Sequence, residues 1–294
     1  ITSNTDYYFG KRNGIIGAVG LISLLAAGLT LQYFEKSNVL LGFSLIFLIA
    51  FLGRVLSAYF FKKKYEPKIS LQSDYYFSIF QFTKKMGKNN FGKFVIFSSV
   101  ITFATAVASP FFAVYMLKDL NFNYLSYTIV TVASVASMLL FMPLWGKFGD
   151  KYGNVKTMHL TGALVFTIPL LWLATVLIKS HFNLIFYLIV VEIFSGFIWA
   201  GFNLSSGTFI FHAVSRERLG LCIAYNGVFS ALGAFLGAFL GGEISSAAFP
   251  ILGMTPILFV FLLSSSLRLM SVAIFIPLIK EVRNAMEKSL EQET

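Results

Sequence analysis

The chain has 294 residues, of which 57% are hydrophobic, 17% aromatic and only 12% charged, with mean hydropathy +0.77 and formal net charge +10. Soluble domains carry about 25% charged residues, so the composition excludes a water-soluble enzyme, a soluble nucleic-acid binder and a disordered tail. The one cysteine, Cys222, excludes an internal disulfide and a multi-cysteine zinc or iron–sulfur site.

Eight apolar stretches, each long enough to cross a bilayer, are predicted at 14–34, 39–61, 94–117, 123–145, 157–178, 183–211, 219–242 and 251–279. The second carries Arg54. The connection 62–93 mixes Leu71, Tyr75, Phe77, Ile79, Phe80 and Phe82 with Lys84, Lys85 and Lys88. That mixture predicts an amphipathic segment along the headgroups, with a disordered basic linker as the alternative. The third span places Ser98, Thr102, Thr105 and Ser109 on one helical face, ahead of Pro110, which favours a kink.

Between the fourth and fifth spans runs Gly146-Lys147-Phe148-Gly149-Asp150-Lys151-Tyr152-Gly153-Asn154-Val155-Lys156. Its glycines permit a tight turn and close helix approach. Asp150, acceptor-only when ionised, suits the exposed N–H groups of a neighbouring helix start. An ordinary polar turn is the plainer reading.

In the sixth span Glu192 lies roughly 13 Å from the span's start at 1.5 Å per residue, near the midplane. Ser195, Gly196, Trp199, Asn203 and Ser206 continue its face at helical spacing. Intramembrane ionisable groups are functional candidates, and Glu192 is suited to bind a proton or a cationic group; a structural carboxyl is the alternative. The seventh span has Gly233, Gly237 and Gly241 in a small-xxx-small series for close packing. The eighth carries Arg268, which with Arg54 is read as structural, snorkelling or bonding carbonyls.

With sides alternating, 18 of the 23 Lys and Arg fall on one side of the membrane and three on the other. The positive-inside rule then places both ends of the chain in the cytoplasm, and the +10 charge becomes a map of one face instead of a nucleic-acid signal. His159, His181 and His212 lie apart without metal-ligand spacing. No phosphate-binding loop, nucleophile elbow or zinc-protease motif occurs. No enzyme activity, cofactor or metal is expected.

The segment Phe47-Leu-Ile-Ala-Phe-Leu-Gly-Arg54-Val-Leu-Ser57 recurs 214 residues later as Phe261-Leu-Leu-Ser-Ser-Ser-Leu-Arg268-Leu-Met-Ser271. Asn13-Gly14 aligns with Asn226-Gly227 at nearly the same offset. Both copies start from one side, so the repeat is parallel. Spans three to eight then form one six-span unit, and spans one and two match only its last two. The offset predicts about four further spans N-terminal to Ile1.

The 146–156 segment resembles the signature loop of the major facilitator superfamily, G-x-x-x-D-[RK]-x-G-[RK]-[RK], which follows the second span of each half. Asn154 and Val155 depart from the basic pair, with Lys156 the nearest substitute. The resemblance implies an all-α polytopic membrane protein of eight transmembrane helices: one complete six-helix bundle plus the last two helices of the preceding half. Residues 1–62 would close the N-terminal half, 63–93 link the halves, 94–279 form the C-terminal half, and 280–294 form a cytoplasmic tail. It further implies a gating role for Gly146, Asp150, Lys151, Gly153 and Lys156, with Asp150 meeting the helix that starts near Arg12 and Asn13. Solute would sit between helices seven and ten, at Thr102, Thr105, Ser109, Glu192, Trp199 and Asn203.

The expected function is secondary or facilitative transport of a small solute by alternating access, with proton coupling through Glu192. The protein would sit in a plasma or inner membrane. Its partners would be the solute, protons, the lipid bilayer and the missing N-terminal helices, with no nucleic acid. A sensor or scaffold that keeps the fold without transport, and an inactive fragment of a transporter, stay open as alternatives.

Overall fold

The computed structural model describes residues 3–65, 76–247 and 249–282, with residues 3–14 and 216 described by their backbone alone. Regular structure among the described residues is helical, apart from one isolated bridge between Ile251 and Met254. The helices are α1 (Ser3–Phe34), α2 (Val39–Phe61), α3 (Ile79–Lys85), α4 (Asn90–Ala106), α5 (Ser109–Val114), α6 (Tyr124–Tyr152), α7 (Asn154–Val165), α8 (Thr167–Leu173), α9 (His181–Ala213), α10 (Arg216–Ser245) and α11 (Pro256–Phe275).

Among the described residues eight helical stretches are long and apolar enough to cross a membrane, because α4, α5 and a π turn make one and α7, α8 and a 3-10 turn make another. The chain is an all-α polytopic membrane protein. A helix closes its own backbone hydrogen bonds and so can sit in lipid, and short polar residues start several of these. Asn38, Asn89 and Asn123 cap α2, α4 and α6 by accepting from Leu41, Gly92 and Ser126 N–H.

Prolines break two of the spans. Pro110 has no N–H for the carbonyl of Ala106, and α4 ends there, with α5 resuming at Ser109. Pro169 likewise frees the carbonyl of Val165 between α7 and α8.

The bundle is held by three main pairings, α6 on α9, α4 on α10 and α7 on α9, with α11 packed against α4, α7 and α8. Lipid offers no hydrophobic drive for helices to associate, so close backbone packing and hydrogen bonds must supply it. In the α4–α10 pair Gly233, Gly237 and Gly241 lie against the carbonyls of Ser99, Phe103 and Val107, where any Cβ would overlap an oxygen. In the α6–α9 pair the Ser137 hydroxyl donates to the Ile193 carbonyl at 2.6 Å and Trp145 Nε1 to the Phe197 carbonyl at 2.8 Å. These contacts fix the register of α9, the helix that carries most of the candidate site.

α1 lies along α6, with the Leu125 N–H donating to Gln32 Oε1 at 2.9 Å. Most of the surface of α2 is exposed. Within the expected amphipathic linker, α3 is a short helix, while Leu71 and Tyr75 lie outside the described residues.

Candidate functional site

A cleft of about 370 Å³ lies between α4, α5, α9 and α10, within the usual range for small-molecule sites. Ser98, Thr102, Thr105 and Ser109 line one side, and Trp199, Asn203 and Ser206 line the other. The two polar stripes anticipated from helical spacing therefore face each other. The remaining walls are aromatic or aliphatic, including Phe97, Phe202 and Ala234, and among the described residues no charged side chain lines the cleft.

The break at Pro110 ends the regular helix between Thr105 and Ser109, and both residues reach the cleft. Ser98 Oγ and Ser230 Oγ lie 3.1 Å apart and tie α4 to α10. Trp199 stands edge-on to Phe202 at 5.5 Å, and Phe97 edge-on to Phe202 at 6.0 Å, geometries that aromatic quadrupoles favour. Thr105 Oγ1 and Ser206 Oγ are buried and have no hydrogen-bond partner. Buried polar groups are normally satisfied, so two orphans in one cleft mark it as a place for a hydrogen-bonding occupant.

Glu192 is not part of this cleft. It stands seven positions before Trp199 on α9, roughly 10 Å along the axis. Its carboxyl faces the Ser134 hydroxyl of α6 and the indole N–H of Trp172 on α8. Trp172 is 1% exposed, and its N–H makes no hydrogen bond of ordinary distance and angle. The indole packs on Phe112 at 4.7 Å and edge-on to Tyr115 at 6.4 Å. Gly196, one turn on from Glu192, touches the Ser134 carbonyl, and that close approach brings α6 against the acid. Sequence reasoning found Glu192 and missed Ser134 and Trp172, which sit on other helices with no local pattern to mark them.

The 146–156 segment differs from the expected loop. α6 continues to Tyr152 and α7 begins at Asn154, so Gly146, Asp150 and Lys151 are helical and the connection is Gly153 alone. Its φ of +98° is a conformation that glycine adopts readily. The physical reason is that a helix leaving the bilayer still satisfies its own backbone, so apolar length does not mark its end. Asp150 is exposed, and its expected partners Arg12 and Asn13 have side chains outside the described residues. Lys151 and Lys156 each place Nζ 5.0 Å from the Tyr152 ring.

Glu281, beyond α11, reaches the start of α7. Its Oε1 accepts from Asn154 N–H at 3.1 Å and its Oε2 from Val155 N–H at 2.7 Å. The carboxylate satisfies orphan donors at the positive end of the helix. A separation of 127 residues between Glu281 and Asn154 left no sequence signal for this contact.

The two intramembrane arginines part company. Arg268 is 1% exposed; its Nη1 donates to the Val165 carbonyl freed by Pro169 at 3.3 Å, and its Nε to Ser264 Oγ at 3.1 Å. Arg54 is exposed on α2. Among the described residues no three His, Cys, Asp or Glu side chains cluster closely enough to hold a metal ion.

Two proteins named multi-drug resistance efflux pump PmrA, from Streptococcus pneumoniae serotype 4 strain TIGR4 and from strain R6, are each 32% identical over 112 residues. The match covers 38% of this chain and 26% of each relative, so the chain covers about a quarter of the length of the curated relatives it matches. No solved structure matches significantly. The family model described as Major Facilitator Superfamily matches residues 94–292, more than half of the chain, and the chain belongs to that superfamily.

Proposed function

We propose that the protein is a secondary transporter that moves lipophilic, aromatic-bearing solutes by alternating access, with the solute in the α4–α9–α10 cleft. The observation that carries this reading is the pair of unpartnered buried hydroxyls, Thr105 and Ser206, in an uncharged aromatic cleft. A solute that offers ring surface to Trp199 and Phe202 and a hydrogen-bonding group to those hydroxyls gains on both counts. A compact ion gains little there. The multi-drug efflux pumps to which part of the chain is similar favour outward movement of several such solutes.

In this reading residues 94–279 form one half of the transporter and 1–62 contribute the last two helices of the other. Segment 63–93 links them, 280–294 is the cytoplasmic tail, and the Gly146–Lys156 corner latches the inner side. Glu192 couples the cycle to protons. Ionised, it takes hydrogen bonds from Ser134 and Trp172 and draws α9 to α6 and α8; protonated, it releases them. The same helix carries Trp199, Asn203 and Ser206, so a proton gained or lost at Glu192 shifts the solute site.

The test is accumulation of a lipophilic dye in everted vesicles under an imposed pH gradient. Thr105→Val and Asn203→Leu should each slow accumulation about fivefold, the worth of one hydrogen bond. Glu192→Gln should keep downhill dye exchange and lose the acceleration by the gradient. Gradient-driven accumulation unchanged by Glu192→Gln would remove the coupling role. Vesicles that bind dye and move none would make the protein a sensor or scaffold, and vesicles that do neither would leave an inactive fragment.

A further inference from the structure

Glu192 stands apart from the α4–α9–α10 cleft, and polar groups continue from it toward the face opposite the basic one. The Tyr115 hydroxyl lies 2.9 Å from Thr175 Oγ1, and Thr175 Oγ1 donates to the Trp172 carbonyl at 2.7 Å. With the threonine proton committed there, Tyr115 is the donor between the two. Both residues are buried, at 5% and 2% exposure. Trp172, three residues before Thr175, stands edge-on to Tyr115 at 6.4 Å and turns its indole N–H to the Glu192 carboxyl.

A π turn joins this pair to the surface. It runs over Tyr115–Asp119, and the Leu120 N–H donates to the Tyr115 carbonyl at 2.9 Å, five residues back. Single π turns are rare and occur often at functional sites. This one ends at Asp119, an exposed carboxylate whose charge acts on the Tyr115 hydroxyl. Tyr115 itself is fixed edge-on to Phe261 at 5.5 Å. Of the other titratable groups at this end, Lys118 and Lys179 are exposed, and the His181 ring packs edge-on to Phe122 at 5.2 Å. The Tyr187 hydroxyl donates to the Leu171 carbonyl at 2.8 Å.

We propose that Tyr115 and Thr175 relay protons to Glu192 from the face opposite the basic one, with Asp119 at the entrance and the Trp172 indole as the gate. This rests on the coupling role given to Glu192 above. A hydronium ion at Asp119 gives up a proton and becomes water. Each hydroxyl oxygen accepts the incoming proton and hands on the one it carried, so Tyr115 and Thr175 end unchanged and the Glu192 carboxylate gains one proton. The Trp172 N–H makes no hydrogen bond of ordinary geometry, which leaves the indole free to turn. A water let in beside it joins the Thr175 hydroxyl to the carboxylate; with the indole back in place the file is cut. Protons and solute then reach α9 from different directions, through Tyr115 and through the cleft.

The test compares dye accumulation driven by an acidified lumen with downhill dye exchange, in everted vesicles carrying the whole chain. Tyr115→Phe keeps the ring and its packing but removes the hydroxyl. It should slow driven accumulation about tenfold or more, as loss of a positioned proton-transfer group does, and change downhill exchange little. Replacing H2O by D2O should slow this variant more than the parent. Thr175→Val should behave alike, and Thr175→Ser, which restores a hydroxyl, should recover the drive. Tyr187→Phe removes a neighbouring hydroxyl off the route and should leave driven accumulation unchanged. Equal slowing by Tyr115→Phe and Tyr187→Phe, or downhill exchange falling in step with the drive, would make Tyr115 merely structural and overturn the relay. Full drive in Tyr115→Phe, with Glu192→Gln uncoupled, overturns the relay and leaves the coupling role standing. Full drive in Glu192→Gln removes the coupling role and the relay with it.

Discussion

α2 and α11 carry two copies of one sequence pattern and end in opposite environments. Phe47 is 69% exposed and its counterpart Phe261 is 0%. Arg54 and Ser57 are exposed, whereas Arg268 and Ser271 are 1% and 2%. Mean hydropathy runs the other way, 2.5 for the α2 span and 2.1 for the α11 span. Hydropathy therefore decides that a helix crosses the membrane, and its neighbours decide what it buries. α11 has α4, α7 and α8 around it, and its serines reach them: Ser264 Oγ donates to the Ala104 carbonyl at 2.6 Å and Ser265 Oγ to the Phe166 carbonyl at 2.7 Å. In α2 the matching positions are Ala50 and Phe51.

The largest expected effect tests the inner helices against the outer one with a single residue type. Gly237 faces the Phe103 carbonyl and lies 3.1 Å, by its virtual Cβ, from Ala106 Cβ, while an added Cβ at Gly53 of α2 meets nothing within 4 Å. Gly237→Leu should cost about 3 kcal/mol or more, since overpacking a close helix seam moves backbone. Gly53→Leu should stay within about 0.5 kcal/mol. Unfolding midpoints in detergent check both, and equal losses would break the distinction.

The arginines sharpen the comparison at a smaller scale. Arg268→Met removes the donors to Val165 and Ser264 and should destabilise by about 2 kcal/mol, the range for hydrogen bonds from a charged group. Arg54→Met should change stability by less than about 0.5 kcal/mol. The same unfolding measurement decides, and a large loss at Arg54 would mean that α2 is buried in the working protein.

Much of the fold was legible because it follows from local rules. Apolar length placed eight spans, and helical spacing brought Thr102, Thr105 and Ser109 opposite Trp199 and Asn203. What escaped was set by contacts between helices distant in sequence. The Glu192 carboxyl lies on the same stripe as Trp199, yet the approach of α6 at Gly196 turns its surroundings into a separate cluster with Ser134 and Trp172. The 146–156 segment read as a loop because its residues are polar, and polarity does not stop a helix once it has left the lipid. Gly153 was visible as a turn glycine, but the carboxylate from beyond α11 that lies against it was not.

That carboxylate supplies the smallest of the expected effects and the finest test of what surrounds α11. Glu281 accepts two backbone N–H groups at the first turn of α7, so it anchors the end of the last span to the corner between α6 and α7. Glu281→Gln keeps the shape and one acceptor oxygen but loses the charge and one of the two bonds. The expected cost is about 1 kcal/mol, typical of a helix cap with a favourable dipole contribution. Because the loss is local, it should appear as roughly fivefold faster hydrogen exchange at the Asn154 and Val155 amides, with the unfolding midpoint nearly unchanged. Exchange that stays the same would mean that water satisfies those amides as well as the carboxylate does. Exchange that quickens throughout α7 would mean that the contact holds the whole helix in place, which the Arg268 bond to the Val165 carbonyl at its other end should prevent.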